Sequence, residues 1–166
     1  MLLVPTPRED VAEFSCNRLL VPLDGNADHE QGLSAVAKLG AGAGTKVLLL
    51  MVIPTWRDLK QESMVASRTL PGTTVELLDA SLAPASGYLD EKRARLAGSS
   101  CEVSASVARG DPVREIVGAA GRFHADLVLL GTHGKTHMDA FWSGSVTPQL
   151  VQRSHLPILL VPVHER

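Results

Sequence analysis

"ADLVLLGTHGKTHMDAFWSGSVTPQL", residues 125 to 150, is the stretch that decides how this chain folds. Leu127 to Leu130 form a short, continuous apolar run, the pattern of a strand covered on both faces in a parallel sheet. Gly131 ends that run, Gly134 and Gly144 punctuate the next stretch, and Ser145 opens a segment that reads as a helix to Arg153. The order is therefore strand, loop, helix. "GKT" at 134–136 imitates the tail of a phosphate loop, but that signature needs a glycine five residues before Gly134, and Leu129 stands there.

Working outward, "RLLVPLDG" (18–25), "KVLLLMVIP" (46–54) and "LPILLVPV" (156–163) repeat the buried-strand pattern. "CEVSASVARG" (101–110) alternates instead, with Cys101, Val103, Ala105 and Val107 against polar neighbours, as a half-exposed strand would. Helices fit between the strands. Leu33, Val36, Ala37 and Gly40 share one face around 27–42, and Leu82, Tyr88, Leu89 and Leu96 mark a second helix over about 80–97. In "GDPVREIVGAAG" (110–121), Asp111 reads as N-cap, Pro112 sits in the first turn, Val113, Ile116, Val117 and Ala120 point inward, and Gly121 closes. Alternating strands and helices predict right-handed βαβ units and an open α/β sheet.

Residues 55–80 mix helical and loop signals and read as a variable insert. "LLVP" at 2–5 either adds an edge strand or, as we expect, belongs to a loose tail over residues 1–17 ahead of one domain at 18–166. A chain of 166 residues suits a single domain, and 45% hydrophobic with 20% charged residues is globular rather than disordered. A net charge of -2 offers no basic stripe for nucleic acid. The longest apolar run, Val47 to Ile53, is too short to span a bilayer, so no membrane partner is expected. The N-terminus has no cationic start and no full hydrophobic region of a secretory signal, and Cys16 and Cys101 have neither metal nor redox spacing. We expect reduced thiols in a cytoplasmic protein.

The glycines after the 125–132 run have a chemical use. A helix's first turn leaves backbone N–H groups without partners, and its dipole favours an anion there. Glycine lets a phosphate approach such donors, where a side chain would hold it off. Ser145 adds a hydroxyl donor and Thr147 a second. The nine residues between Gly134 and Gly144 reach about 30 Å extended, enough to fold over a ligand as a flap.

At this point the sequence resembles the universal stress proteins. The matching pieces are "LLVPLDG", "VLLLMVIP", "GDPVREIV", "ADLVLLGTHGKTH" and "GSVTPQLVQRSHLPILLV", in family order across most of 18–163. The spacing of Gly131, Gly134, Gly144 and Ser145 resembles that of the family's ATP-binding branch. The resemblance implies a three-layer, Rossmann-like α/β sandwich whose five-stranded parallel sheet has the order 3-2-1-4-5. Its topological switch point falls between strands 1 and 4, where ligands sit at the carboxyl ends. Asp24 ends the first of these and Gly131 the second. Alone, Asp24 reads as a loop-capping aspartate; beside Gly131 it resembles the family's acid facing the adenosine. Pro22, Leu23, Val52 and Leu130 match positions that wall the adenine. Gly131, Gly134, Gly144, Ser145 and Val146, flanked by Thr132, His133 and Thr147, match the phosphate-holding segment. ATP is the implied cofactor, with Mg²⁺ or Mn²⁺ held largely by phosphate and water. The family also implies a homodimer through the strand at 156–163.

Departures from the family pattern are Met51, where the family often has His, the aromatic pair Phe141 and Trp142 in the flap, and Pro148 early in the last helix. A metal site from His133, His137 and Asp139 is disfavoured because the loop fixes no ligand spacing. Phe141 denies Ser143 a nucleophile elbow. "DEKRARLAG" (90–98) reads as a solvated helix face. Lys135 and His133 supply charge and base chemistry, but no spacing commits them to phosphoryl transfer, so no residue is assigned as catalytic. The expected function is a homodimeric, ATP-binding sensor or adaptor in stress responses, with little or no catalysis. The alternatives are an interaction module that binds no nucleotide and a slow ATP hydrolase or autokinase.

Overall fold

The computed structural model describes residues 1–4, 16–25, 30–39, 44–53, 55, 82–133 and 146–163, with backbone alone for Gln31, Thr132, His133 and Val163. In chain order the elements are β1 (Leu2–Leu3), β2 (Arg18–Leu23), α1 (Gln31–Leu39), β3 (Lys46–Ile53), α2 (Leu82–Leu96), β4 (Glu102–Arg109), α3 (Pro112–Phe123), β5 (Leu127–His133), α4 (Val146–Arg153) and β6 (Ile158–Val163). One sheet orders its strands β1-β6-β5-β2-β3-β4. Five of them pair in parallel, while β1 joins β6 antiparallel.

That sheet corrects the expected five strands in the order 3-2-1-4-5. It has six, because Leu2–Leu3 is a strand and not part of a loose tail. The Met1 ammonium donates to Leu160 O at 2.8 Å, and Leu160 N donates to Met1 O at 2.7 Å. The consequence reaches the expected homodimer. Strand β6 lies between β5 and β1, and Ile158 and Leu160 are 2% and 4% exposed inside the chain's own core. They are not available to pack against a second copy.

Alternation along each strand divides the core between the sheet's two faces. Leu20, Leu50, Val128, Leu130, Ile158 and Leu160 meet Val113, Ile116, Ala119 and Ala120 of α3 and Leu150 of α4. Leu19, Val21, Leu23, Val47, Leu49, Leu127 and Leu129 meet Leu33 and Val36 of α1 and Leu89 and Leu96 of α2. The result is three layers, as the unbroken apolar runs require. Each fully buried leucine contributes roughly 1.5–3 kcal/mol of burial. Strand β4 keeps the half-exposed pattern that its alternation predicts.

The helices show four local corrections. Ala37 is exposed, and the inward face of α1 is formed by Gly32, Leu33 and Val36; Gly40 lies outside the described residues. Leu82 is exposed at the start of α2, and the buried stripe runs Ala85, Leu89, Lys92, Leu96. Residues 90–98 form a mostly solvated face, as read, with Lys92 the charged residue that departs from it. Helix α3 starts as predicted, with the Asp111 carboxylate accepting from Arg114 N at 2.8 Å, and Val113, Ile116 and Ala120 buried. It continues past Gly121, however, to end at His124 in the left-handed region (φ 51°), whose N–H reaches Ala120 O and Gly121 O.

Candidate nucleotide site at the parted strands

The strand pair β2 and β5 is closed at one end and open at the other. At their amino ends the Asp126 carboxylate accepts from Asn17 N at 3.0 Å and Arg18 N at 2.9 Å, and Asp126 N donates to Arg18 O at 2.8 Å. Arg18 Nε donates to Phe123 O at 2.7 Å, and its guanidinium stands 5.1 Å from the Phe123 ring centroid. Register between the two strands then lasts for only Leu19↔Leu127 and Leu20↔Val128. On the far sides, β2 pairs with β3 as far as Leu23↔Met51, and β5 with β6 as far as His133↔Val163. Each strand thus keeps its outer partner while the two lose one another.

Pro22 explains where the ladder stops. Lys46 N donates to Asn17 O, so odd-numbered peptide groups of β2 face β3 and even-numbered ones face β5. Residue 22 is the next even position after the last register pair, and proline has no N–H to offer there. Proline is normally foreign to a central strand. Here the missing donor coincides with the point where β2 and β5 lose register. By the same alternation, Val128 N donates to Pro157 O on the β6 side, which turns the Gly131 amide toward β2.

The opening is framed from both faces. Right-handed βαβ connections place the N-termini of α1 and α4 at the carboxyl ends of the strands. Gly32, in the first turn of α1, lies so close that a Cβ on it would stand 3.8 Å from Gly131 N. Val146 and Thr147, half-buried, begin α4, and Val146 packs with Val52 and Leu130 against the core on the α3 face. Asp24 is exposed directly after β2, one step beyond Leu23↔Met51 and so level with Val52. Gly25 follows at φ 82°, a left-handed conformation that glycine adopts without strain. A Cβ there would stand 3.5 Å from Met51 Cε, so the half-buried Met51 lies under the turn.

Most of the described site residues therefore surround one opening. Asp24 and Gly131 stand on its two lips, although β5 runs past Gly131 to His133 where the sequence reading ended it; Pro22 by alternation shares the face of Val52 and Leu130, and Val146 and Thr147 start the helix on that face. Leu23 is the exception: it is 6% exposed in the core on the opposite face, with α1 and α2, and so does not join that wall. Thr132 and His133 continue β5. Gly134, Gly144, Ser145 and the flap residues Lys135, His137, Asp139, Phe141 and Trp142 lie outside the described residues.

The sequence reading missed the charged cluster beside the opening. Glu30, just before α1, accepts from Tyr88 Oη at 3.0 Å and pairs with Lys92 at 2.8 Å and Arg95 at 3.3 Å. The Lys92 side chain is 6% exposed and lies 4.8 Å from the Tyr88 ring centroid. Hydrogen bonding to Glu30 raises the Lys92 pKa, with burial opposing, and burial followed by the Glu30 hydrogen bond raises that of Tyr88. Asp24 is near enough to add to the Tyr88 shift. The signal was present in the spacing. Lys92 lies three residues after Leu89 and four before Leu96, on the buried stripe.

The described residues contain no group of three or more His, Cys, Asp or Glu placed to hold a metal ion. Among the described residues, the carboxylates near the opening are Asp24 on its lip and Glu30, which is held in ion pairs. That donor set fits a hard cation arriving with a polyphosphate and keeping its water, rather than a resident metal. Cys16 and Cys101 are half-buried cysteines outside any disulfide, just ahead of β2 and β4 at the opposite end of the sheet; burial and then Asp126 raise the pKa of Cys16.

A mostly parallel open sheet with two helix N-termini over a parted strand pair defines an α/β domain with a topological switch point. The family model for the universal stress protein family matches residues 16–162. The chain belongs to that family. It is similar to universal stress protein MJ0577 of Methanocaldococcus jannaschii, with 25% identity over 152 residues, 87% of this chain and 93% of the relative. The solved structure of MJ0577 superimposes with a TM-score of 0.72, covering 91% of this chain and 99% of that one. The fold is shared with a universal stress protein in complex with cAMP, at TM-score 0.63 and 19% identity, covering 89% of this chain and 98% of that one. It is also shared with one from Archaeoglobus fulgidus in complex with dAMP, at TM-score 0.52 and 18% identity, covering 86% of this chain and 95% of that one. No helix among the described residues is long and apolar enough to cross a membrane.

Proposed function

We propose that this chain is an ATP-binding universal stress protein, a cytoplasmic homodimeric sensor or adaptor in stress responses with little or no catalysis. The observation that carries the reading is the parting of β2 from β5 beyond Leu20 and Val128, with Asp24 on one lip and Gly131 on the other. A carboxylate there suits a ribose hydroxyl or the adenine amine, and a bare glycine amide suits a phosphate oxygen. Pro22, Val52 and Leu130 wall the base in this reading. Gly134, Gly144 and Ser145 add phosphate donors, with the start of α4 favouring the anion. ATP brings Mg²⁺ or Mn²⁺ with it, and the metal offsets phosphate charge. The cAMP and dAMP held by the two family structures support adenine nucleotide as the ligand class.

The dimer contact moves outward from 156–163 to β1, where Met1, Leu2 and Val4 are exposed and apolar. Light scattering of wild type against Leu2→Asp tests it: a dimer that dissociates supports this contact, and a monomeric wild type removes the dimer from the proposal. The nucleotide reading is tested by denaturing purified protein and identifying the molecule released, then titrating ATP with Mg²⁺. Released adenine nucleotide, or saturable binding between micromolar and millimolar, is expected. Neither one would leave a family member acting through protein contacts alone.

A further inference from the structure

The geometry points to Glu30 as the positioning residue of the opening, clamped by Tyr88, Lys92 and Arg95 of α2 so that the first turn of α1 and the Asp24–Gly25 turn keep their places. This rests on the nucleotide reading above and goes beyond it, because Glu30 touches none of the atoms assigned to ligand contact.

Three observations carry the inference. Glu30 stands at the start of α1, two residues before Gly32, where a Cβ would lie 3.8 Å from Gly131 N. A shift of α1's first turn would therefore be felt at the glycine lip. Asp24 begins the same connection that Glu30 ends, and its charge reaches Tyr88. The clamp also takes donors from three side chains on one helix face, with the closest, Lys92 at 2.8 Å, almost wholly buried. An ion pair placed so is a poor source of stability against well-packed apolar residues, but it fixes direction and distance in a way that apolar contacts do not. A pair of this kind is accounted for by a demand for position rather than for stability. The α1–α2 side of the sheet thereby holds both lips from one point.

The test uses the purified full chain and residue-resolved amide exchange, which needs no nucleotide. In Glu30→Gln, exchange is expected to quicken about tenfold at Leu23, which is paired with β3, and at Ala35 and Val36, whose amides close the first turn of α1, while the β3–β4 amides from Val47 to Leu49 keep their protection, the mark of a local opening. ATP affinity should fall by a similar factor. Unchanged exchange at Leu23, Ala35 and Val36 overturns the inference. So does equal quickening in β3 and β4, which would make the clamp merely structural. Should Glu30→Gln fail to fold, Tyr88→Phe leaves the Lys92 pair intact and is expected to give about a threefold local effect. A wild type that binds no ATP would defeat the proposed function, while the exchange pattern would still decide the role of Glu30.

Discussion

The two ends of the β2–β5 pair are built by opposite means. At the amino end, one carboxylate, one guanidinium and a backbone bond join Asn17, Arg18, Phe123 and Asp126 through contacts no longer than 3.0 Å. At the carboxyl end, a proline occupies the place of the next donor and the strands part. The closed end makes the open one tolerable to the fold, since β2 and β5 stay in register without a ladder along their whole length. A binding mouth in this sheet is a pairing left unfinished at one end and secured at the other.

Substitutions that break this contrast should differ in size and in kind. The largest expected effect is at the clamp beside the mouth. Lys92→Ala leaves Glu30 without its closest partner and should cost about 3 kcal/mol, read from urea unfolding. Lys92 and Tyr88 both hold protons more tightly folded than unfolded. Their contribution is complete below about pH 10 and is lost as pH rises through the raised folded values. Tyr88→Phe should flatten part of that alkaline loss of stability. At the closed end, Asp126→Ala removes a charged acceptor from two amides and should cost about 2 kcal/mol while leaving ATP affinity unchanged. A matching loss of affinity would mean that the two ends are not independent.

At the open end the expected effects are on ligand rather than fold. Gly131→Val should weaken ATP at least about tenfold, roughly 1.4 kcal/mol, with little change in the unfolding midpoint. Pro22→Val restores an N–H facing β5. It should stabilise the fold by about 1 kcal/mol and weaken ATP by about threefold, as the lips draw together. A more open mouth and tighter ATP in that variant would refute the part assigned to the proline.

Much of this was readable in the chain. The apolar runs at 18–25, 46–54, 125–132 and 156–163 announced strands covered twice, and Asp111–Pro112 announced a helix start, because burial and capping leave local marks. That Asp24 and Gly131 would flank one opening was legible through strand ends and family resemblance. The features that escaped had no local mark or a misleading one. A two-residue strand such as Leu2–Leu3 has too few residues for a pattern, and only β6 makes it a strand. Lys92 sits in a run of charges that looks solvated, and its partner Glu30 is far away along the chain, ahead of α1. The αL cap at His124 displaced the expected Gly121, since Ala120 and Phe123 still packed inward and the helix gained by continuing. Leu23 was assigned to the base-binding wall by position in a motif, whereas strand alternation sends it to the other face.

The most direct test of the account follows backbone amide shifts in the full chain as ATP and Mg²⁺ are added. The perturbed amides among the described residues are expected to gather at Leu23–Gly25, Gly32, Leu129–His133 and Val146–Thr147, with Asn17, Arg18 and Asp126 still. Perturbations centred on the closed end or along β4, or none at saturating ATP, would contradict it.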